Sequence, residues 1–141
     1  DNVHAYNPFK HRHMPEIQEK IKILKGKDLP INFVPHLLPL TRGMLVSVFA
    51  TLKDDINVNQ VLNNSYKNCE FIRLRDKPVD VKSVAGTNFC DLFVAKNGKA
   101  LFVSSAIDNL LRGASSQAVV NANILCGYEE YEGIPKIAYV P

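Results

Sequence analysis

Residues 91–106 have the sequence DLFVAKNGKALFVSSA, and this stretch decides the fold. Two runs rich in β-branched and aromatic residues flank the dipeptide Asn97-Gly98, which tolerates the positive φ angles of a tight two-residue turn. The pattern therefore predicts a β-hairpin. Because both runs carry apolar residues on both faces, the hairpin is expected to lie inside a covered sheet.

Upstream of the hairpin, the sequence predicts a further strand and a helix. The run Gly43–Leu52 is rich in β-formers and apolar on both faces, which is typical of a well-buried strand. Residues 31–40 are interrupted by prolines and are expected to be extended chain. Nearer the N-terminus, Pro15 suits the first position of a helix and Gly26 suits its end. The apolar residues at helical spacing between them are Ile17, Ile21 and Leu24.

Two more helices complete the predicted fold. One follows Asp54 and Asp55, whose negative charge suits the positive end of a helix. The last runs from Asn109 to Cys126 and stops at Gly127, and its expected apolar face consists of Leu111, Ala114, Ala118 and Leu125. The order of elements predicts an α+β (mixed α/β) fold in which helices cover a largely antiparallel sheet. We expect residues 1–141 to form a single partial domain.

The composition excludes several classes of protein. Hydrophobic residues make up 46% of the 141 residues, which is enough for a core and too many for a disordered tail. The net charge of +3 is mild and scattered, so we expect no nucleic-acid partner. Short apolar runs broken by prolines indicate no membrane span, and no signal peptide is apparent. The three cysteines are widely spaced and form no CxxC motif, which favours a reducing compartment over disulfides or a zinc site.

The motif HRHMPEI, residues 11–17, carries the clearest candidate chemistry. His11 and His13 project in similar directions if the chain is extended, and they precede the start of a helix, which suits an anion or a general acid/base. The alternative is structural, with one histidine exposed and the other bonded to the backbone. A metal site is disfavoured because the remaining histidines, His4 and His36, do not have ligand spacing.

Further candidates lie at the ends of the predicted elements. Arg42 precedes the buried strand, where it could grip a carboxylate or phosphate or simply be solvated. Asp108 suits a helix cap. Along the last helix, Gly113, Gln117 and Asn121 recur every four residues beside small side chains that would admit a ligand or another backbone. The chain contains no GxGxxG or GxSxG motif, so an enzyme would need residues beyond these.

Four segments together resemble the N-acetyl-gamma-glutamyl-phosphate reductase family of arginine biosynthesis. They are HRHMPEI (11–17), VPHLLPLTRGML (34–45), GTNFCD (86–91) and SSAIDNLLRGASSQAVVNANILCGYEEYEGI (104–134). The resemblance implies a two-domain enzyme with an NADP-binding Rossmann domain and a catalytic and dimerisation domain like the C-terminal domain of glyceraldehyde-3-phosphate dehydrogenase. This chain resembles the C-terminal portion of the second domain. NADP would therefore be bound mainly by a domain outside it.

The resemblance also implies roles for individual residues. In the family's reaction a cysteine thiolate attacks the acyl phosphate, phosphate leaves, and NADPH reduces the thioester to an aldehyde. That cysteine belongs to a Gly-Cys-Tyr-Pro-type motif absent here, so Cys69, Cys90 and Cys126 do not inherit its role. A histidine can move the protons. The implied site comprises His11 as acid/base, His13 as its neighbour or a substrate contact, Arg12 and Arg42 for the substrate's anionic groups, and Gln117 and Asn121 for the nicotinamide.

The order of roles within the histidine pair stays open. The implied partners are a small acyl-phosphate substrate and further copies of the chain in a dimer or tetramer, with no metal. The expected location is the cytoplasm, or an organelle in a eukaryote. Two alternatives remain: a related reductase acting on an aspartyl or aminoadipyl phosphate, and a non-catalytic dimerisation fragment.

Overall fold

The structure, a computed structural model, describes residues 1–138, and the chain divides into two compact units, Asp1–Thr41 and Arg42–Pro141. In the first unit, the two-residue strands β1 (His4–Ala5) and β2 (His36–Leu37) pair antiparallel, and helix α1 spans His13–Lys25. Helix α1 begins two residues before Pro15, the expected first position, whereas its predicted end is confirmed: Gly26 lies in the left-handed region with φ 68°. No residue of α1 is buried.

The second unit is built on a four-stranded sheet with the order β3–β6–β5–β4. Strand β3 spans Met44–Thr51, β4 spans Ile72–Leu74, β5 spans Cys90–Asn97 and β6 spans Ala100–Ile107. All pairs are antiparallel except β4 with β5. Helix α2 (Val58–Tyr66) packs on β4 and β5, and helix α3 (Ser116–Cys126) follows a π-helical turn, Leu111–Ser115. The predicted α+β fold is confirmed.

The predicted hairpin is confirmed, but its turn lies one residue later than expected. Asn97 pairs with Ala100, so the two turn residues are Gly98 and Lys99. Gly98 has φ 56° and Lys99 does not have a positive φ, which matches a type II′ turn with glycine at its first central position. The sequence correctly predicted a two-residue turn that uses Gly98, because glycine supplies the positive φ that the turn needs.

The prediction that Gly43–Leu52 forms a well-buried strand is wrong for this chain. Within residues 1–138, strand β3 pairs with β6 on one side only and lies at the edge of the sheet. Its apolar side chains are exposed on both faces, most strongly Phe49 at 80%. Apolar character on both faces therefore indicates surface that this chain does not itself cover.

The last helix differs from the prediction in its start and its buried face. The π-helical turn contains the i→i+5 bonds from Gly113 N–H to the Asp108 carbonyl and from Ser115 N–H to the Leu110 carbonyl. This wider turn shifts the phase of every residue that follows it. Consequently α3 buries Ser116 and Val120, whereas the expected face residues Ala114, Ala118 and Leu125 are exposed. Val120 packs with Phe71, Ile134 and Phe89 in the small core of the unit.

Helix α2 follows Asp54 and Asp55, as expected, and begins at Val58. Asn57 caps it by accepting a hydrogen bond from the Gln60 N–H at 3.1 Å, so the two preceding aspartates are not in its first turn. None of the helices within residues 1–138 has the length and apolar character needed to cross a bilayer.

Candidate active site

The histidine pair lies at the start of α1. The rings of His11 and His13 meet edge to face with their centroids 4.7 Å apart. The backbone N–H of His13 donates a hydrogen bond to Nδ1 of His11, with a nitrogen–nitrogen distance of 3.3 Å. Because Nδ1 accepts this bond, the neutral His11 ring carries its proton on Nε2.

Two aromatic rings complete the surroundings of His11. Tyr6 meets it edge to face and Phe33 at a tilt of 48°, each with a centroid distance of 5.4 Å. His11 is half-buried by these contacts, whereas His13 is exposed. Three rings thus restrict the orientation of His11 while leaving His13 freer, which suits a positioned proton donor and acceptor. The same arrangement also fits the structural alternative, so the roles of the pair stay a prediction.

The neighbouring arginine is not used to stabilise the helix start. Arg12 occupies the N-cap position of α1, but its side chain makes no capping hydrogen bond and is exposed. A cation at that position is available to an anionic ligand beside the two histidines.

In the second unit, Arg42 is paired with a buried carboxylate. Its Nη1 lies 3.1 Å from Oδ2 of Asp108, whose side chain is fully buried. The same oxygen accepts the Gly86 N–H at 2.7 Å, while Oδ1 accepts the N–H groups of Leu110 and Leu111 at 2.9 and 3.1 Å. The capping role expected for Asp108 is confirmed, and its contact with Arg42 is additional.

The electrostatics of Asp108 follow from these four donors. Burial raises the pKa of its carboxyl, but donation by the three backbone N–H groups and the charge of Arg42 outweigh burial and hold the pKa below its usual value. A lowered folded-state pKa stabilises the fold above the ordinary aspartate pKa. That contribution is lost as the pH falls through the lowered value.

Gln117 and Asn121 lie together on α3. Nε2 of Gln117 donates to Oδ1 of Asn121 at 2.9 Å, as residues four apart on a helix can. Asn121 is exposed and Gln117 is half-buried. The pair presents amide groups that can donate and accept hydrogen bonds.

A second buried carboxylate was not predicted from the sequence. Asp91 at the start of β5 is 1% exposed, and its oxygens lie 2.5 Å from Nε of Arg73 and 3.4 Å from Nε of Arg75. The sequence does contain a pattern that could have indicated this ion pair. Asp91 is a lone acidic residue at the start of an apolar strand, and Arg73 and Arg75 lie two positions apart in and just after another strand. A cavity of about 390 Å³ lies beside Asp91 and Arg75. It is lined by none of the candidate site residues that the sequence predicted.

Comparisons with known proteins agree on one family. Residues 1–109 match the family model described as semialdehyde dehydrogenase, dimerisation domain. Over the whole chain, identity is 64% with an N-acetyl-gamma-glutamyl-phosphate reductase of Sulfurovum sp. (strain NBC37-1) and 55% with that of Wolinella succinogenes. It is 42% over 95% of the chain with that of Methanococcus vannielii. The chain spans 42%, 42% and 41% of the length of these three relatives.

Proposed function

The chain belongs to the semialdehyde dehydrogenase dimerisation-domain family, and on that premise we propose that it is part of an N-acetyl-gamma-glutamyl-phosphate reductase. The whole enzyme would reduce N-acetylglutamyl phosphate to N-acetylglutamate semialdehyde and phosphate with NADPH, in arginine biosynthesis. The observation that carries the proposal is 64% identity, along all of this chain, to a relative bearing that name. The family description supports the coarser conclusion that the chain contributes to assembly.

In the proposed reaction His11 moves the protons. Its ring, enclosed by Tyr6, Phe33 and His13, takes the proton of the thiol supplied by the rest of the enzyme. It later returns a proton to the oxygen that becomes the aldehyde. His13, whose ring centroid lies 4.7 Å from that of His11, is proposed to contact the same substrate.

The arginines are proposed to hold the anionic groups of the substrate. Arg12 is exposed beside the histidine pair, and its side chain makes no capping bond. Arg42 directs Nη1 to Asp108 and is 38% exposed, so another edge of its guanidinium remains accessible for a carboxylate or phosphate. Both roles are proposed because a planar guanidinium group can donate two hydrogen bonds to two oxygens of a carboxylate or phosphate.

The cofactor is proposed to be NADP, held mainly by a domain outside this chain. When bound it would supply the hydride. From this chain, Gln117 and Asn121 would orient the carboxamide through the amide groups that they present on α3. The proposed location is the cytoplasm, or an organelle in a eukaryote.

The experiment that tests this function is a substrate panel on the full-length enzyme. Oxidation of NADPH is followed with N-acetylglutamyl, aspartyl and aminoadipyl phosphates. We expect N-acetylglutamyl phosphate to give the highest kcat/KM, because the relatives that cover the whole chain carry that activity in their names. A higher kcat/KM with either other phosphate would replace the proposal with a related acyl-phosphate reductase.

We also propose that β3 lies in the interface of a homo-oligomer, a dimer or a tetramer. Phe49 on one face of the edge strand packs against Phe102 of β6, with centroids 5.2 Å apart, yet stays 80% exposed. On the other face, Met44 and Val48 are also exposed. A second copy would remove this apolar surface from water at a gain of roughly 25 cal/mol per Å².

Phe49→Glu should therefore shift the full-length enzyme to a smaller species in sedimentation velocity, since a buried unpaired charge opposes association. The matched control is Leu125→Glu, which changes a side chain that is 86% exposed and belongs to α3 rather than to β3. The control should keep the wild-type assembly. If Phe49→Glu sediments like the wild type, β3 does not lie in the interface.

A further inference from the structure

Three separate segments of the second unit meet at the end of the β3–β6 ladder. The last ladder pair is Met44 with Ile107, so the residues just outside it face one another across the sheet end. Asp108 bonds the Arg42 side chain, and the next residue, Asn109, accepts the Gly43 N–H at 2.7 Å. Two consecutive side chains leaving β6 thus hold two consecutive residues entering β3.

The third segment is fixed to the same place by close packing. Gly43 has φ 111°, and a Cβ at this position would lie 1.9 Å from Cγ1 of Val81. Only glycine fits this approach. A few residues further along the same loop, Gly86 donates its N–H to Oδ2 of Asp108. The carboxylate therefore receives bonds from this loop and from Arg42 at one oxygen, Oδ2.

The other oxygen of Asp108 controls how the last helix starts. Oδ1 accepts the N–H groups of Leu110 and Leu111, which lead into the π-helical turn. Because α3 continues directly from that turn, the carboxylate sets where the helix carrying Gln117 and Asn121 begins. One rigid group thus contacts both the arginine proposed to bind substrate and the start of the helix proposed to approach the cofactor.

We propose that Asp108 is a positioning residue that sets the Arg42 guanidinium relative to the helix bearing Gln117 and Asn121. This inference rests on the proposed function. The two N–H groups at the helix start both donate to Oδ1, so capping does not require the contact of Oδ2 with Arg42. Arg42 is the one side-chain donor among the four, and it is only partly buried. The pairing removes rotamer freedom from a side chain that must meet an anion in one orientation.

Asp108→Asn in the full-length enzyme separates the two contacts. The amide keeps one accepting oxygen for the helix start and replaces Oδ2, which accepts from Arg42 and from the Gly86 N–H, with an NH₂ group that cannot accept from either donor. We expect KM for the acyl phosphate to rise and kcat to fall by about tenfold or more each, since small misplacements carry such costs. Affinity for NADPH, measured by fluorescence titration, should change by less than about twofold, because another domain binds most of the cofactor.

A double-mutant cycle distinguishes positioning from a general structural effect. If Asp108 acts through Arg42, adding Asp108→Asn to Arg42→Ala should lower kcat/KM by no more than about twofold further. The matched control is Asp91→Asn, which removes an equally buried, arginine-paired carboxylate. Both Asp91→Asn and Asp108→Asn should lower the melting temperature, but Asp91→Asn should leave KM for the acyl phosphate within about twofold when assayed well below its melting temperature.

Additive losses in the cycle, or equal KM values for Asp108→Asn and Asp91→Asn, would overturn the inference. If Asp108→Asn does not fold, Asp108→Ser replaces it in the cycle, because serine keeps a capping oxygen and cannot reach Arg42. A wild-type enzyme inactive on every acyl phosphate would instead refute the proposed function. An active wild type with kinetically normal variants refutes only the role of Asp108.

Discussion

The isolated 141-residue chain is expected to show no NADPH-dependent reduction of N-acetylglutamyl phosphate. On the proposed function, both the nucleophilic cysteine and most of the NADP site belong to the remainder of the enzyme, since the chain spans 42% of its Sulfurovum relative. Holding reacting groups together is worth effective concentrations of roughly 10⁵–10⁸ M. A chain that holds the histidines without their thiol partner and cofactor loses that advantage completely.

The measurement compares the purified chain with the full-length enzyme under the same NADPH assay. Circular dichroism establishes that the chain retains its helices and strands, so that a lack of activity does not reflect unfolding. The full-length enzyme serves as the positive control. Reduction by the folded chain alone, at a rate within about a hundredfold of the whole enzyme, would contradict the proposal that the rest of the enzyme supplies the nucleophile and most of the NADP site.

The second large effect is expected for His11→Ala in the full-length enzyme, which should lower kcat by roughly a hundredfold or more. The side chain is the one enclosed by Tyr6, Phe33 and His13, with Nδ1 accepting the His13 N–H. Replacing it removes a proton acceptor whose orientation the surrounding rings hold. Because the effect is on proton transfer, kcat should fall more than KM rises.

His13→Ala should have a smaller effect on kcat and should raise KM, because this exposed ring is the freer of the two. His36→Ala is the matched control, since it removes an exposed histidine on β2 in the same unit. It should leave both constants near wild type. If His13→Ala abolishes turnover while His11→Ala does not, the two roles are exchanged. If both variants stay fully active, the pair is structural.

Several features of the fold and site could be predicted from the sequence because they depend on neighbours along the chain. Gly98 supplies the positive φ of the hairpin turn, and Gly26 and Gly127 end their helices in the left-handed region, with φ 68° and 77°. The two runs rich in β-branched and aromatic residues marked the strands of the hairpin. The adjacency of His11 and His13 marked the candidate acid/base pair, which the chain keeps in ring contact.

The tertiary structure alone decided which of these residues are covered and what they contact. Strand β3 has the same apolar pattern as a central strand, but it lies at the sheet edge because pairing order is set by distant segments. The π-helical turn rotates the buried face of α3 to Ser116 and Val120, a shift that no 3.6-residue pattern anticipates. Arg42 and Asp108 lie 66 residues apart in sequence, so their pairing exists only once β3 and β6 close the ladder between them. Local backbone preferences act over a few residues, whereas burial and charge pairing depend on surfaces that folding brings together.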